Sequence, residues 1–197
     1  MAAGKVLTGF SLPYVALYTV STTSANTVIY SSGQKLARGV SVSLDPSVAD
    51  DNKFYADNLI AETAPGVMNG GTVTLTVDGL LESAEALVLG LPAADNNDWY
   101  HYGDSMSIPY VGIGFIARYQ SDGVESYTPV VLTKARFQTP SLSANTQGEE
   151  IEWQTQELTA NLMRDDTATH DWKLVGEAQN TEALAEGMIK TLFNITP

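Results

Sequence analysis

A two-residue alternation of apolar and polar positions runs through most of this 197-residue chain. In residues 36–62 it reads as a strand, an acidic turn and a second extended segment. Leu36, Val40, Val42 and Leu44 share one face, and Ala37, Gly39, Ser41 and Ser43 share the other. That is the period of a half-buried strand and not of a helix. Arg38 places a charge on the otherwise apolar face. Asp45-Pro46-Ser47 is expected to stop this strand, because proline cannot donate to a ladder and Asp-Pro favours a turn. Asp50-Asp51-Asn52 is too polar to bury. Residues 14–20 predict a first strand, and residues 27–30 a second, followed by a turn at Ser31-Ser32-Gly33. The cleanest alternation is 71–77, with Val73, Leu75 and Val77 on one face and threonines on the other. Residues 110–119 alternate again, with Val111, Ile113, Phe115, Ala117 and Tyr119 together. Ser121-Asp122-Gly123 predicts a hairpin turn into a strand over 124–137, where Pro129 demands a bulge or an edge. Residues 149–163 predict a long strand whose apolar phase shifts between Trp153 and Leu158, implying a bulge or bend. A short strand over 170–175 follows.

Twice the period changes to that of a helix. Leu80, Leu81, Ala84, Leu87, Val88 and Leu91 recur at helical spacing, with Glu82 and Glu85 opposite. Asp78 is placed to cap this helix, and Gly90 followed by Pro92 to end it. Residues 180–193 predict a closing amphipathic helix with Leu184, Met188, Ile189 and Leu192 inward, weakened at Gly187 by about 1 kcal/mol relative to alanine. Residues 1–12 are expected to form a mobile arm. Residues 46–70 form a long connection whose regular part is 54–62. Phe54 and Tyr55 would be poor choices for a solvated loop, and are expected to pack on the body or on a neighbouring subunit. The sum is a mainly β single domain, 1–197, with two helices.

Hydrophobic residues make up 44% of the chain, ample for a packed core, while charged residues are only 17%, below the usual ~25%. The net charge of −13, from 23 acidic against 10 basic residues, argues against nucleic acid as a bound ligand. Gripping phosphate needs a basic footprint. No cysteine is present, which removes thiol nucleophiles, thiolate metal sites and disulfides. The N-terminus lacks a signal pattern, and no apolar run approaches the ~18 residues of a membrane span. A soluble protein made in the cytoplasm is the expectation.

Several strings imitate catalytic or binding motifs. Gly112-Ile113-Gly114-Phe115-Ile116-Ala117 fits GxGxxA, but β alternation runs straight through it where a dinucleotide site needs a helix. Backbone closeness or sheet bending explains these glycines better. Gly103-Asp104-Ser105-Met106 resembles the serine block of GDS-type hydrolases; a nucleophile at Ser105 would need His101 or His170 as its base. Asp165, Asp166, His170 and Asp171, the run Asp95-Asn96-Asn97-Asp98 and the run Asp50-Asp51-Asn52 could each hold a divalent ion. None has calcium-loop spacing, and turns collect such residues for their own backbone bonds. Trp99, Tyr100 and Tyr102 could stack on a sugar or base, or anchor their loop to the body. No conventional active site, metal or cofactor is expected.

The segments Ala37-Arg38-Gly39-Val40 and Asp50-Asp51-Asn52 with Phe54-Tyr55-Ala56-Asp57-Asn58 resemble the major tail protein (tail tube) family of long-tailed phages with non-contractile tails. GTVTLTVDGL and PYVGIGFIARYQSDG are similar to the same family, and the resemblance covers roughly residues 9–193. It implies a β-sandwich or barrel of two packed antiparallel sheets, with a flanking helix matched by 80–91, followed here by the C-terminal helix. It also implies a structural virion protein and not an enzyme: hexameric rings of self-associated copies stack into a tail tube through which the genome is ejected. The connection 46–70 corresponds to the loop that bridges stacked rings. Arg38 would pair with an acid of the Asp50–Asp57 loop, and Asp50, Asp51, Asn52, Phe54, Tyr55, Asp57 and Asn58 would form the subunit interface. The partners implied are further copies of the chain, the tape measure and the tail terminator. DNA passes without being bound, the acidic balance then serving a lumen that repels phosphate. The location implied is the virion tail, after assembly in the host cytoplasm, with no membrane contact. Other classes remain open: a secretion-system tube protein, a carbohydrate- or host-binding β-module using the 99–102 loop, and a hydrolase using Ser105.

Overall fold

The structure, a computed structural model, describes residues 4–148 and 152–195. Among them are strands β1 (Val6–Val20), β2 (Val28–Lys35), β3 (Gly39–Val48), β4 (Asn52–Ala56), β5 (Leu59–Ala64) and β6 (Met68–Val77), then helix α1 (Glu82–Leu89). Strands β7 (Val111–Ser121), β8 (Val124–Phe137), β9 (Gln156–Met163) and β10 (Lys173–Val175) follow, and helix α2 (Glu182–Leu192) closes the chain. The architecture is mainly β, a sandwich of antiparallel pairings with two flanking helices. The larger sheet runs β2-β1-β7-β8-β9-β6-β3, with β10 added beside β8, and β4-β5 form a separate two-stranded sheet.

The larger sheet curls until its β3 end returns to β1. The Leu36 amide donates to the Pro13 carbonyl at 2.8 Å, and the Phe10 ring fills the space a side chain on Gly39 would take. Inside the curl, Val15, Leu75, Ile113, Leu132 and Leu158 are buried together, and α1 covers them with Ala84, Val88 and Leu89. The alternate positions of β1, β2, β7 and β8 form a second core on the opposite face, where Tyr14, Tyr18, Tyr30, Ile116 and Val131 meet Ala185, Ile189 and Phe193 around α2. Strands β1, β7 and β8 are thus buried on both sides. Gly112 and Gly114 lie under α2: a Cβ on the first would meet the Tyr30 and Phe193 rings, and one on the second Ile189 and Phe193. The GxGxxA string is a seat for a helix.

Several sequence expectations are corrected, most of them because turn residues sit inside strands. The segment expected to be a mobile arm is strand from Val6, paired with β7 (Val6↔Gln120, Leu7↔Tyr119); the ladder shifts register between Ser11 and Tyr14, around a left-handed Leu12. That bulge hides the alternation. Ser31-Ser32-Gly33 is likewise an irregularity within β2, with Ser32 at φ 52° opposite a register shift in β1. Strand β3 does not stop at Asp45 but runs to Val48, with Pro46 opposite Gly71. It is an edge strand, the position where a missing donor is tolerated. Pro129 lies instead in β8, which has partners on both sides, and its place there is a matter of direction. Tyr127 exchanges both backbone bonds with Gln179, so alternation turns the donor-less Pro129 nitrogen away from β7. The strand predicted over 149–163 begins at Gln156; residues 149–151 lie outside the described ones, and 152–155 are not strand. The apolar phase shift marked a strand start. The strand predicted over 170–175 begins only at Lys173.

Helix α1 is shorter than predicted, and Leu81 occupies its N-cap without a side-chain bond. Asp78 is engaged elsewhere, as described below. Gly90 ends the helix in the left-handed region. In α2, Thr181 caps the N-terminus by accepting from the Leu184 amide. The inward stripe is Ala185, Ile189 and Phe193, while Leu184, Met188 and Leu192 are left partly in water. The helix is rolled toward its small residue, because Ala185 permits the closest approach to the sheet. Two carboxylates fix that roll: Glu186 accepts from the Tyr14 hydroxyl at 2.5 Å, and Glu182 accepts from Ser11.

Replacing Gly114 by valine would set a Cβ 2.7 Å from Ile189 and 3.0 Å from Phe193. The expected loss is about 1–3 kcal/mol of unfolding free energy, read as a lower urea midpoint at unchanged m-value. An unchanged midpoint would contradict this seating of α2.

Candidate assembly surface

The β3–β6 pair continues past its last ladder residues into a bend, and from the bend into the β4–β5 hairpin. The Ala49 amide donates to the Val67 carbonyl at 2.9 Å, and the Gly66 amide donates to the Asp51 carboxylate at 3.0 Å. Any side chain at Gly66 would strike the Ala49 carbonyl, so the bend requires glycine there. Beyond it Asn52 pairs with Ala64, Phe54 with Glu62, Tyr55 with Ile60 and Ala56 with Leu59, with a register shift between Phe54 and Tyr55. Asp57 and Asn58 close the hairpin at φ 49° and 65°, the two left-handed residues of a type I′ turn.

Every residue of β4 and β5 is exposed. Phe54 is 63% exposed, Tyr55 61%, Leu59 72% and Ile60 52%. Cross-strand partners share a face, so Phe54, Ala56 and Leu59 fall on one side and Tyr55 and Ile60 on the other. A two-stranded hairpin alone in water is marginal, and this one has no core of its own. Contiguous apolar side chains in such a position mark an interaction surface.

The structure therefore brings Asp50, Asp51, Asn52, Phe54, Tyr55, Asp57 and Asn58 together in one projecting unit, with Asp51 as the brace of its hinge. Arg38 does not join them. Its Nε donates to Asp78 Oδ2 at 2.5 Å and its amide to Asp78 Oδ1 at 2.9 Å, while the Asp78 amide donates back to the Arg38 carbonyl. The expected pairing of Arg38 with the Asp50–Asp57 loop is thus corrected. The reason is register: Gly39 pairs with Val77, which sets the next residue, Asp78, beside Arg38. Hydrogen bonds from Arg38 hold the Asp78 carboxyl below its usual range. The pair clamps the start of β3 to the end of β6.

The remaining candidates are occupied by structural bonds. Asp166 accepts from Lys134 at 2.6 Å and from the Tyr18 hydroxyl at 2.6 Å, and Lys134 also lies over the Tyr18 and Tyr110 rings. Asp165 is buried and accepts from the Thr167 amide and hydroxyl. His170 Nδ1 faces the Asp165 carbonyl at 3.2 Å, and Thr169 donates to Asp171. Among the described residues no three His, Cys, Asp or Glu side chains converge as a metal site. His101 is engaged with Asp95 at 3.1 Å, and Gly103-Asp104-Ser105-Met106 is a turn closed by the Met106 amide on the Gly103 carbonyl. Asp95 also accepts from the amides of Trp99 and Asn97, and these bonds, the Trp99 one foremost, hold its carboxyl below the usual range. Tyr102 donates to Glu85 at 2.8 Å; desolvation and that carboxylate push its pKa up to about 12. The 95–102 loop is tied to α1, with Trp99 and Tyr102 facing water.

Sequence reasoning missed one surface. Between α2 and β10 lies an apolar groove of about 710 Å³, floored by Pro129, Val131 and Ile189. Its signal was present in the sequence: the apolar arc of α2 is wider than one packing stripe, as Leu184, Met188 and Leu192 stand beside Ala185, Ile189 and Phe193. No helix among the described residues is long and apolar enough to cross a membrane. In comparisons with known proteins, no family model matches the chain and no curated protein matches it.

Lys134 and Tyr18 hold Asp166 ionised below the usual carboxylate range. A depressed native pKa stabilises the fold above the unfolded value, near 4, and that contribution is lost as pH falls through the native value. Asp166→Asn is expected to lower the urea midpoint at pH 7, with the gap to wild type narrowing below about pH 3. A gap constant across that range would contradict this role.

Proposed function

We propose that this chain is a structural subunit that associates with copies of itself into rings, hexameric in the family it resembles, and that the rings stack as a phage tail tube. The observation that carries this reading is the β4–β5 hairpin, a projection with apolar side chains on both faces that no other described element of its own chain covers. Such a projection on each copy is a head-to-tail contact element, and head-to-tail contacts close into rings or extend as filaments. The hairpin coincides with the segment whose sequence resembles the tail tube family. The net charge of −13 fits a conduit past which DNA slides without sticking. The tape measure and the tail terminator would be its further partners, in a virion tail assembled in the host cytoplasm. A secretion-system tube would use the same geometry.

A second reading is favoured by Trp99 and Tyr102, aromatics held toward water on the tethered 95–102 loop. In that reading the chain is a carbohydrate- or host-binding module, with sugar rings stacking on the exposed faces.

Negative-stain electron microscopy and sedimentation over a range of concentration and salt separate the two. The tube reading expects rings or hollow tubes, and expects Phe54→Ser to raise the concentration needed for assembly at least tenfold at unchanged circular dichroism. A strict monomer that binds a glycan, with binding abolished in Trp99→Ala, would move the assignment to the second reading.

A further inference from the structure

Among the described residues the β4–β5 hairpin and the α2–β10 groove are both apolar and unpartnered. The groove is lined by Leu174, Val175, Leu184, Met188 and Leu192 along its walls, and no ionisable side chain is among its lining residues. Gly187 sits in the middle of the helical wall with nothing within 4 Å of where its Cβ would be. Glycine inside a helix weakens it, and no neighbour in this chain requires one at 187. Its effect is to leave the wall low, opening the groove to something from outside.

We infer that the groove is the receptor for the β4–β5 hairpin of a second copy of this chain. This deepens the tube reading and rests on it, by naming the two surfaces that mate. Area supports the match. One face of the hairpin, Phe54 with Leu59, and the five side chains along the groove walls leave roughly 70–150 Å² each in water, on the order of 700 Å² together. A stable interface of about 1,600 Å² is about 57–65% apolar, so these two features supply most of the apolar part of one. Chemistry supports it as well. Asp50, Asp51, Asp57 and Glu62 against Lys53 make the hairpin and its hinge acidic, and the whole chain is strongly negative. Copies repel at long range, and a receptor without charge of its own adds nothing to that repulsion at the contact; this groove provides one. The contact joins two different patches, so each copy offers one hairpin and one groove and the chain of contacts propagates. Added salt screens the repulsion, so association strengthens as ionic strength rises.

The test uses the full-length protein and three exposed positions. Phe54→Asp spoils the hairpin and leaves the groove intact; Leu184→Asp does the reverse. Each variant alone is expected to lose assembly by at least tenfold in concentration. Mixed in equal amounts they are expected to form one capped pair by sedimentation velocity, because one intact hairpin meets one intact groove. Gly187→Leu is the control for folding: it should unfold no earlier than wild type, since leucine favours the helix and meets open space, yet it should assemble at least tenfold less well. If wild type assembles while Leu184→Asp and Gly187→Leu assemble equally well, the groove is not the receptor and the inference falls, the tube reading standing. If the two Asp variants each fail but their mixture yields no pair, the mating of these surfaces is overturned. A wild type that stays monomeric at every concentration and salt overturns both.

Discussion

The burial of β7 on both faces is the constraint on which the rest depends. A strand with one face in water needs only alternation, whereas a strand between two cores needs a suitable residue at every position. From Val111 to Ala117 that need is met by large side chains toward the curl and by Gly112, Gly114 and Ile116 toward α2. The glycines bring the helix down onto the sheet, and the helix in turn covers Tyr14, Tyr18 and Tyr30. Their polar ends then find partners at the margin: Tyr14 with Glu186, Tyr18 with Asp166, and Tyr30 with the Thr133 carbonyl. Of the acidic residues that looked like ligands in the sequence, Asp166 is the acceptor that Tyr18 requires.

The other end of the molecule is governed by the β3–β6 pair. Arg38 and Asp78 fasten it where it leaves the body, and Asp51 and Gly66 bend it where it becomes the hairpin. Between those points Pro46 interrupts nothing, since β3 has a partner on one side only. The pairing is long-range, and this explains why the chemistry of Arg38 was misread from local sequence. The acids expected to partner it lay ahead of it in the Asp50–Asp57 loop, but the acid beside it in space, Asp78, directly follows a strand and stands forty residues on.

Much of the fold was legible because alternation is a direct record of burial. Residues 71–77, 110–119 and 124–137 read as strands, and the two helices announced themselves by a change of period. What misled was chemistry that serves two purposes. Leu12-Pro13, Ser31-Ser32-Gly33 and Asp45-Pro46 are turn-forming sequences, and inside a sheet the same residues make bulges or tolerate an edge; only pairing partners tell these apart. The hairpin was visible as misplaced aromatics, Phe54 and Tyr55, although not as a hairpin, because Asp57-Asn58 lies in the middle of what reads as one extended segment over 54–62. The groove was hidden by a sound assumption, that apolar side chains on an amphipathic helix face inward. Leu184, Met188 and Leu192 do not, since Ala185 decides which way the helix rolls.

The bend at Ala49–Asp51 has a mechanical meaning. Five residues of strand at roughly 3.3 Å each carry the hairpin tip some 17 Å from the bend, and few bonds cross the bend itself: one backbone hydrogen bond, and one from the Gly66 amide to a carboxylate. The sandwich behind it is cross-braced by two cores and two helices. In any assembly joined through the hairpin, bending would be taken up at this joint while the bodies stayed rigid. A long structure built of such units would flex as a string of stiff links with compliant couplings, not as a uniform rod.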